Sequence, residues 1–113
     1  MTGPTITTPD DLDLIEAAGR AAGYETRRHE VRGLEAVHVR EPGGSEWRYF
    51  NPLGDDAEAF RLSVRLELDI RQERDKGRVS VWCGFLGTGF IPYDGDPLAS
   101  TRRGIVLAAG EAA

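Results

Sequence analysis

Cysteine is almost missing from this chain: Cys83 stands alone, which excludes an internal disulfide and fits a reducing compartment. Lysine is equally scarce, with Lys76 the only one, and 14 basic residues face 19 acidic ones for a net charge of −5. Affinity for duplex nucleic acid comes largely from Lys and Arg neutralising phosphates, so direct nucleic-acid binding is not expected. There is no apolar run near the ~18 residues of a membrane span, and no charged, apolar, small-residue order at the N-terminus. The expectation is therefore a cytoplasmic protein without a membrane partner. Tandem domains are not expected either, because 113 residues make one domain, 1–113, with a single core.

What is present suits a folded globule, with 40% hydrophobic and 29% charged residues. Thr8-Pro9-Asp10-Asp11 reads as a helix start: a hydroxyl cap, a proline whose missing N–H is no loss there, and carboxylates beside the positive end of the helix dipole. The spacing of Leu12, Ile15, Ala18 and Ala22 predicts a helix from Pro9 to about Ala22, ended by Gly23. From Tyr24 to Phe50 the period changes to two, and turns at Gly33 and at Pro42 to Ser45 divide it into strands near 25–31, 35–41 and 46–50. Val37 and Val39 share one face, and Ala36, His38 and Arg40 share the other. Only one of those faces can be core. His29 and His38 come close on neighbouring strands, but two histidines without a third ligand at metal-site spacing make no metal centre.

Asn51-Pro52-Leu53-Gly54 stops the sheet, and Asp55 with Glu58 three residues on has capping-box spacing for a second helix through Ala59, Leu62, Ser63 and Leu66. Leu66, Leu68 and Ile70 then alternate with charged residues as a fourth strand. Beyond a turn at Asp75-Lys76-Gly77, Val79, Val81 and Cys83 alternate with Ser80, Trp82 and Gly84. That fifth strand has apolar groups on both faces, so it is expected to be central or covered on both sides. Cys83 reads as a small buried hydrophobe, since no electropositive, open setting for a reactive thiolate is visible nearby. Asp96-Pro97 starts a third helix that runs through Ile105 and Val106 towards the end.

The segment Gly84 to Tyr93 is the one irregular stretch. It holds three glycines, Phe85, Phe90, Tyr93 and a proline, yet lacks the lysine and hydroxyl order of a phosphate-binding loop. It either docks over the core or forms a contact surface, and Phe85, Phe90, Tyr93, Trp47 and Trp82 are the candidate partner-binding residues. No catalytic residue, metal or cofactor is assigned.

Trp47 to Leu68, with its aromatic strand, Asn51-Pro52-Leu53 turn and acidic Asp55-Asp56 helix start, and Ala99 to Ala112, with its arginine-led apolar helix, resemble the phage ABA sandwich family. Gly104 and Gly110 weaken that last helix without changing its pattern. The resemblance covers about half the chain and implies a phage or prophage protein in a bacterial host, with helices on both faces of a sheet. It carries no catalytic role to transfer.

The predicted fold is α+β, in the order α-β-β-β-α-β-β-α, with a mainly antiparallel five-stranded sheet and three helices in an α/β/α sandwich-like arrangement. The leading functional expectation is a non-enzymatic phage accessory protein that binds another protein, in its sharper form an inhibitor of a host defence system such as a CRISPR complex. Two alternatives stand beside it: a self-associating structural domain, such as a homodimer, and a small ligand-binding domain or enzyme using His29, His38, Cys83 or the glycines. The last requires one concavity to join at least three of those groups.

Overall fold

Hairpins and helix caps set the order of elements in the computed structural model, which describes residues 9–112. Helix α1 is Pro9–Ala21, followed by β1 (Glu25–Val31), β2 (Leu34–Arg40) and the short β3 (Arg48–Tyr49). Helix α2 (Asp56–Arg65) leads to β4 (Asp69–Glu73), a 3-10 turn at Arg74–Lys76 and β5 (Arg78–Cys83). Two further short strands, β6 (Leu86–Gly87) and β7 (Ile91–Pro92), precede α3 (Pro97–Glu111). Thr8, expected to cap α1, lies outside the described residues.

The predicted single sheet of five strands is replaced by two antiparallel sheets. An N-terminal sheet has the order β1-β2-β3, and a C-terminal sheet has β4-β5-β6 with β7 also paired to β5. β5 is thus a central strand, as its composition requires. β3 pairs with β2 over only two positions, His38 with Tyr49 and Val39 with Arg48. Pro52 follows almost at once, fully buried, and ends the extended run before β3 can serve as a bridge between the sheets.

α3 binds the architecture together. It packs on β5, on α1 and on α2, so no sheet lies between the helices and they do not cover opposite faces of one sheet. The shortest dimension, 21 Å, fits one helix layer on one strand layer at about 10 Å each. The α1 stripe of Leu12, Ile15, Ala18 and Ala22 is buried, as are Val37 and Val39 of β2, Val79 and Val81 of β5, and Ile105 and Val106 of α3. Glycine is needed where helix meets sheet in the C-terminal half: a Cβ at Gly104 would lie 2.7 Å from Val81 Cγ2.

Local signals explain the element ends. The Asp55 carboxylate accepts from the N–H groups of Ala57 and Glu58 and caps α2, and Asp96 caps α3 through the Ala99 N–H. Glu58 does not complete the reciprocal box. It is buried, and its Oε1 instead accepts from Arg48 of β3 and from Arg61, 2.9 Å away. Leu66 belongs to the end of α2 rather than to β4, because the N–H groups of Glu67 and Leu68 bond back to the carbonyls of Val64 and Ser63. Glu67 takes the left-handed position there, at φ 53°.

Candidate functional site

The irregular stretch after β5 folds as a tight hairpin. Cys83 pairs with Leu86, so Gly84 and Phe85 alone form the turn, with Gly84 at φ 61°. A glycine at the first turn position is what a two-residue hairpin of this hand demands. Phe85 is left at the tip, fully exposed, in a place where polar residues usually sit. Leu86 next to it and Phe90 further along the segment are 52% and 59% exposed, so the segment is not a lid folded into the core.

The hairpin is held firmly from below. Trp82 lies flat on the backbone of Gly87, where a Cβ would come within 2.2 Å of the indole, and its Nε1 donates to Ser80 Oγ at 3.2 Å. The Val81 N–H donates to Thr88 Oγ1 at 3.1 Å, and the Thr88 N–H returns to the Val81 carbonyl. Arg78 covers the Phe90 ring, its guanidinium carbon 3.5 Å from the centroid. A hydrogen bond from the same Arg78 holds the Glu73 carboxyl below the usual carboxylate range. Tyr93 plays a different part. It is half-buried against the core, its hydroxyl donates to Gln72 Oε1 at 2.5 Å, and its carbonyl accepts from Ser100 Oγ.

The five candidate residues therefore do not form one surface. Phe85 and Trp82 belong to the β5–β6 hairpin, Phe90 lies between β6 and β7 under Arg78, Tyr93 packs on the core beside β4 and α3, and Trp47 lies against the other sheet. Leu86 and Arg78 were not among the sequence candidates: Leu86 follows Phe85 directly, which was the available signal, whereas Arg78 meets Phe90 only through strand pairing.

On the N-terminal sheet, Val37 and Val39 point to the core and leave Arg27, His29, His38, Arg40 and Tyr49 on the outward face. Trp47 lies against Arg27 and Arg40, whose guanidinium carbons are 4.4 and 4.5 Å from its ring centroid. His38 stands edge-to-face between His29 and Tyr49. Its Nδ1 is buried with no hydrogen-bond partner, and burial, with His29 and Arg27 nearby, lowers its pKa.

Cys83 is a partly buried free thiol on the C-terminal sheet, far in the topology from both histidines. Among the described residues no three His, Cys, Asp or Glu side chains are grouped to hold a metal ion, and no helix is long and apolar enough to cross a membrane. A concavity of about 360 Å³ beside α2 is lined by Tyr24, Phe60, Arg61, Val64 and Arg65. Arg65 is committed to the fold there, donating to the Ala22 carbonyl, to Tyr24 and to both oxygens of Glu41. Neither histidine, nor Cys83, nor any glycine of the hairpin reaches that concavity.

No family model, curated protein or solved structure matches this chain. The phage resemblance accordingly rests on the residue pattern at Trp47–Leu68 and Ala99–Ala112, and function has to be argued from the surfaces themselves.

Proposed function

We propose that this protein acts by binding another protein, with Phe85 as the anchor of the contact and without catalysing a reaction. One observation carries the reading: a phenylalanine at the tip of a two-residue hairpin is fully exposed, where the turn itself has no use for it. Interface energy concentrates in a few apolar and aromatic side chains that become desolvated together, and the half-exposed Leu86 follows Phe85 directly, with Phe90 exposed towards the other end of β5. The fixing of Trp82 over Gly87 and of Thr88 to Val81 reduces the ordering cost on binding. Trp82, 38% exposed, borders the patch, and the partner is a protein with an apolar pocket for the hairpin tip.

The residue pattern adds origin and class to this reading: a phage or prophage accessory protein in a bacterial cytoplasm, whose partner is a host defence component such as a CRISPR complex. Capture from bacterial lysate on immobilised wild-type protein and on Phe85→Ser tests it. A protein retained by the wild type and lost from the variant is expected. Equal retention on both would overturn the assignment, and a concentration-dependent dimer in sedimentation, abolished by Phe85→Ser, would assign the hairpin to a second copy instead.

A further inference from the structure

The outward face of the N-terminal sheet shares no strand with the hairpin. We infer that this face binds a single strand of nucleic acid. The chain as a whole is acidic, at −5, but the outward-facing positions of these strands hold two arginines, Arg27 and Arg40, and a single carboxylate, Glu25, which is paired with Arg40. Arg27 has no carboxylate partner among the described residues, which leaves its charge available to a phosphate. Its guanidinium, with that of Arg40, lies on Trp47 and so is presented as a supported plane rather than a loose chain.

The rings beside the arginines decide between kinds of anion. His29, His38 and Tyr49 run across β1, β2 and β3 with centroids 5.1 and 6.1 Å apart, wider than the about 3.4 Å rise of stacked bases. Bases splayed from one another, as they are when proteins read single strands, fit that spacing, whereas a duplex keeps its bases stacked out of reach. Tyr49 is 57% exposed and offers a ring to stack on. Single-strand binders combine stacking rings with positive charge along the backbone track, and that charge is local to the face, whatever the net charge of the chain. An acidic protein segment would use the arginines but leave the rings uncovered.

Fluorescence anisotropy of a labelled ten-nucleotide oligothymidylate, titrated with the intact protein, tests the proposal. Saturable binding is expected, with log K falling against log salt at a slope of about −0.7, the value for one phosphate neutralised by Arg27 on a single strand. Tyr49→Ala should weaken binding about fivefold or more through the lost stacking. Arg27→Gln should weaken it and flatten the slope, and Arg74→Gln, which removes an equal charge from the 3-10 turn, should leave it unchanged; circular dichroism checks that each variant is folded. Absence of saturable binding, or equal weakening by Arg74→Gln and Arg27→Gln, overturns the proposal. Binding of an oligoglutamate peptide in place of the oligonucleotide overturns it too, and assigns the face to an acidic protein. The hairpin variants test the protein-binding reading separately, because the two surfaces share no residue.

Discussion

Arg78 lays its guanidinium across the Phe90 ring at 3.5 Å from the centroid, while its Nε is held by Glu73. This fixes the position of Phe90 without burying it, since the residue keeps 59% of its exposure. An exposed cation–π contact contributes about 0.5–1 kcal/mol, so Phe90→Ala should reduce stability by less than about 1 kcal/mol. Urea unfolding measures this, and a loss above about 2 kcal/mol would make Phe90 a core residue. Tyr93→Ala should cost more, because its ring packs on the core and its hydroxyl meets Gln72.

Glu67 sits in the left-handed conformation at φ 53°, where a side chain costs about 1–2 kcal/mol. Glycine removes that cost but gives the unfolded chain more freedom, so Glu67→Gly should stabilise the protein by about 0.5–1 kcal/mol. A lower thermal midpoint would show that the Glu67 side chain makes a contribution the geometry does not reveal.

Gly104 and Gly110 look alike in the sequence, both inside α3, yet their surroundings differ. A Cβ at Gly104 meets Val81 Cγ2 at 2.7 Å, whereas at Gly110 the nearest atom is Ala17 Cβ at 3.8 Å. Gly104→Ala should destabilise by up to about 2 kcal/mol, the overpacking cost less the gain in helix propensity. Gly110→Ala should stabilise by up to about 1 kcal/mol. Denaturant midpoints moving in the same direction for both would contradict this packing.

Burial of the His38 imidazole, with His29 and Arg27 beside it, sets its folded pKa below its ordinary value. The unfolded chain then takes up the proton first, so the contribution of neutral His38 is complete above about pH 6.5 and is lost as pH falls through the lowered folded pKa. Denaturant midpoints at pH 8 and pH 5 should therefore converge in His38→Gln relative to the wild type. An unchanged difference would place the pH sensitivity elsewhere.

Much of this fold was legible locally. Asp55 and Asp96 announced their helices because a cap is a property of a few adjacent residues, and Gly23 and Gly33 marked turns that glycine alone occupies without strain. The alternation in β2 told which valines face the core. Pairing between distant segments was not legible: nothing in the composition of Arg48-Tyr49 says that β3 stops after two residues, or that β4 turns to β5 instead of continuing the first sheet. β6 and β7 are too short to show a period. The same limit applied to function, since Trp47 and Trp82 read as one aromatic set and proved to lie on separate sheets. Arg27 stood two residues from His29 in a strand already recognised, but its meeting with Trp47 depends on the three-strand register.

Affinity for the captured partner, measured for wild type, Phe85→Ala, Phe90→Ala, Asp10→Asn and Asp55→Asn at low and moderate salt, tests the central claim most directly. Loss of a desolvated aromatic anchor is worth about 2 kcal/mol, so Phe85→Ala and Phe90→Ala should each weaken binding about thirtyfold with little change in salt dependence. The two aspartates lie at helix starts, and their amides should leave affinity nearly unchanged while costing a little helix stability. A partner held tightly at low salt, released at moderate salt and weakened by Asp10→Asn but not by Phe85→Ala would contradict the account and make the acidic helix starts the contact.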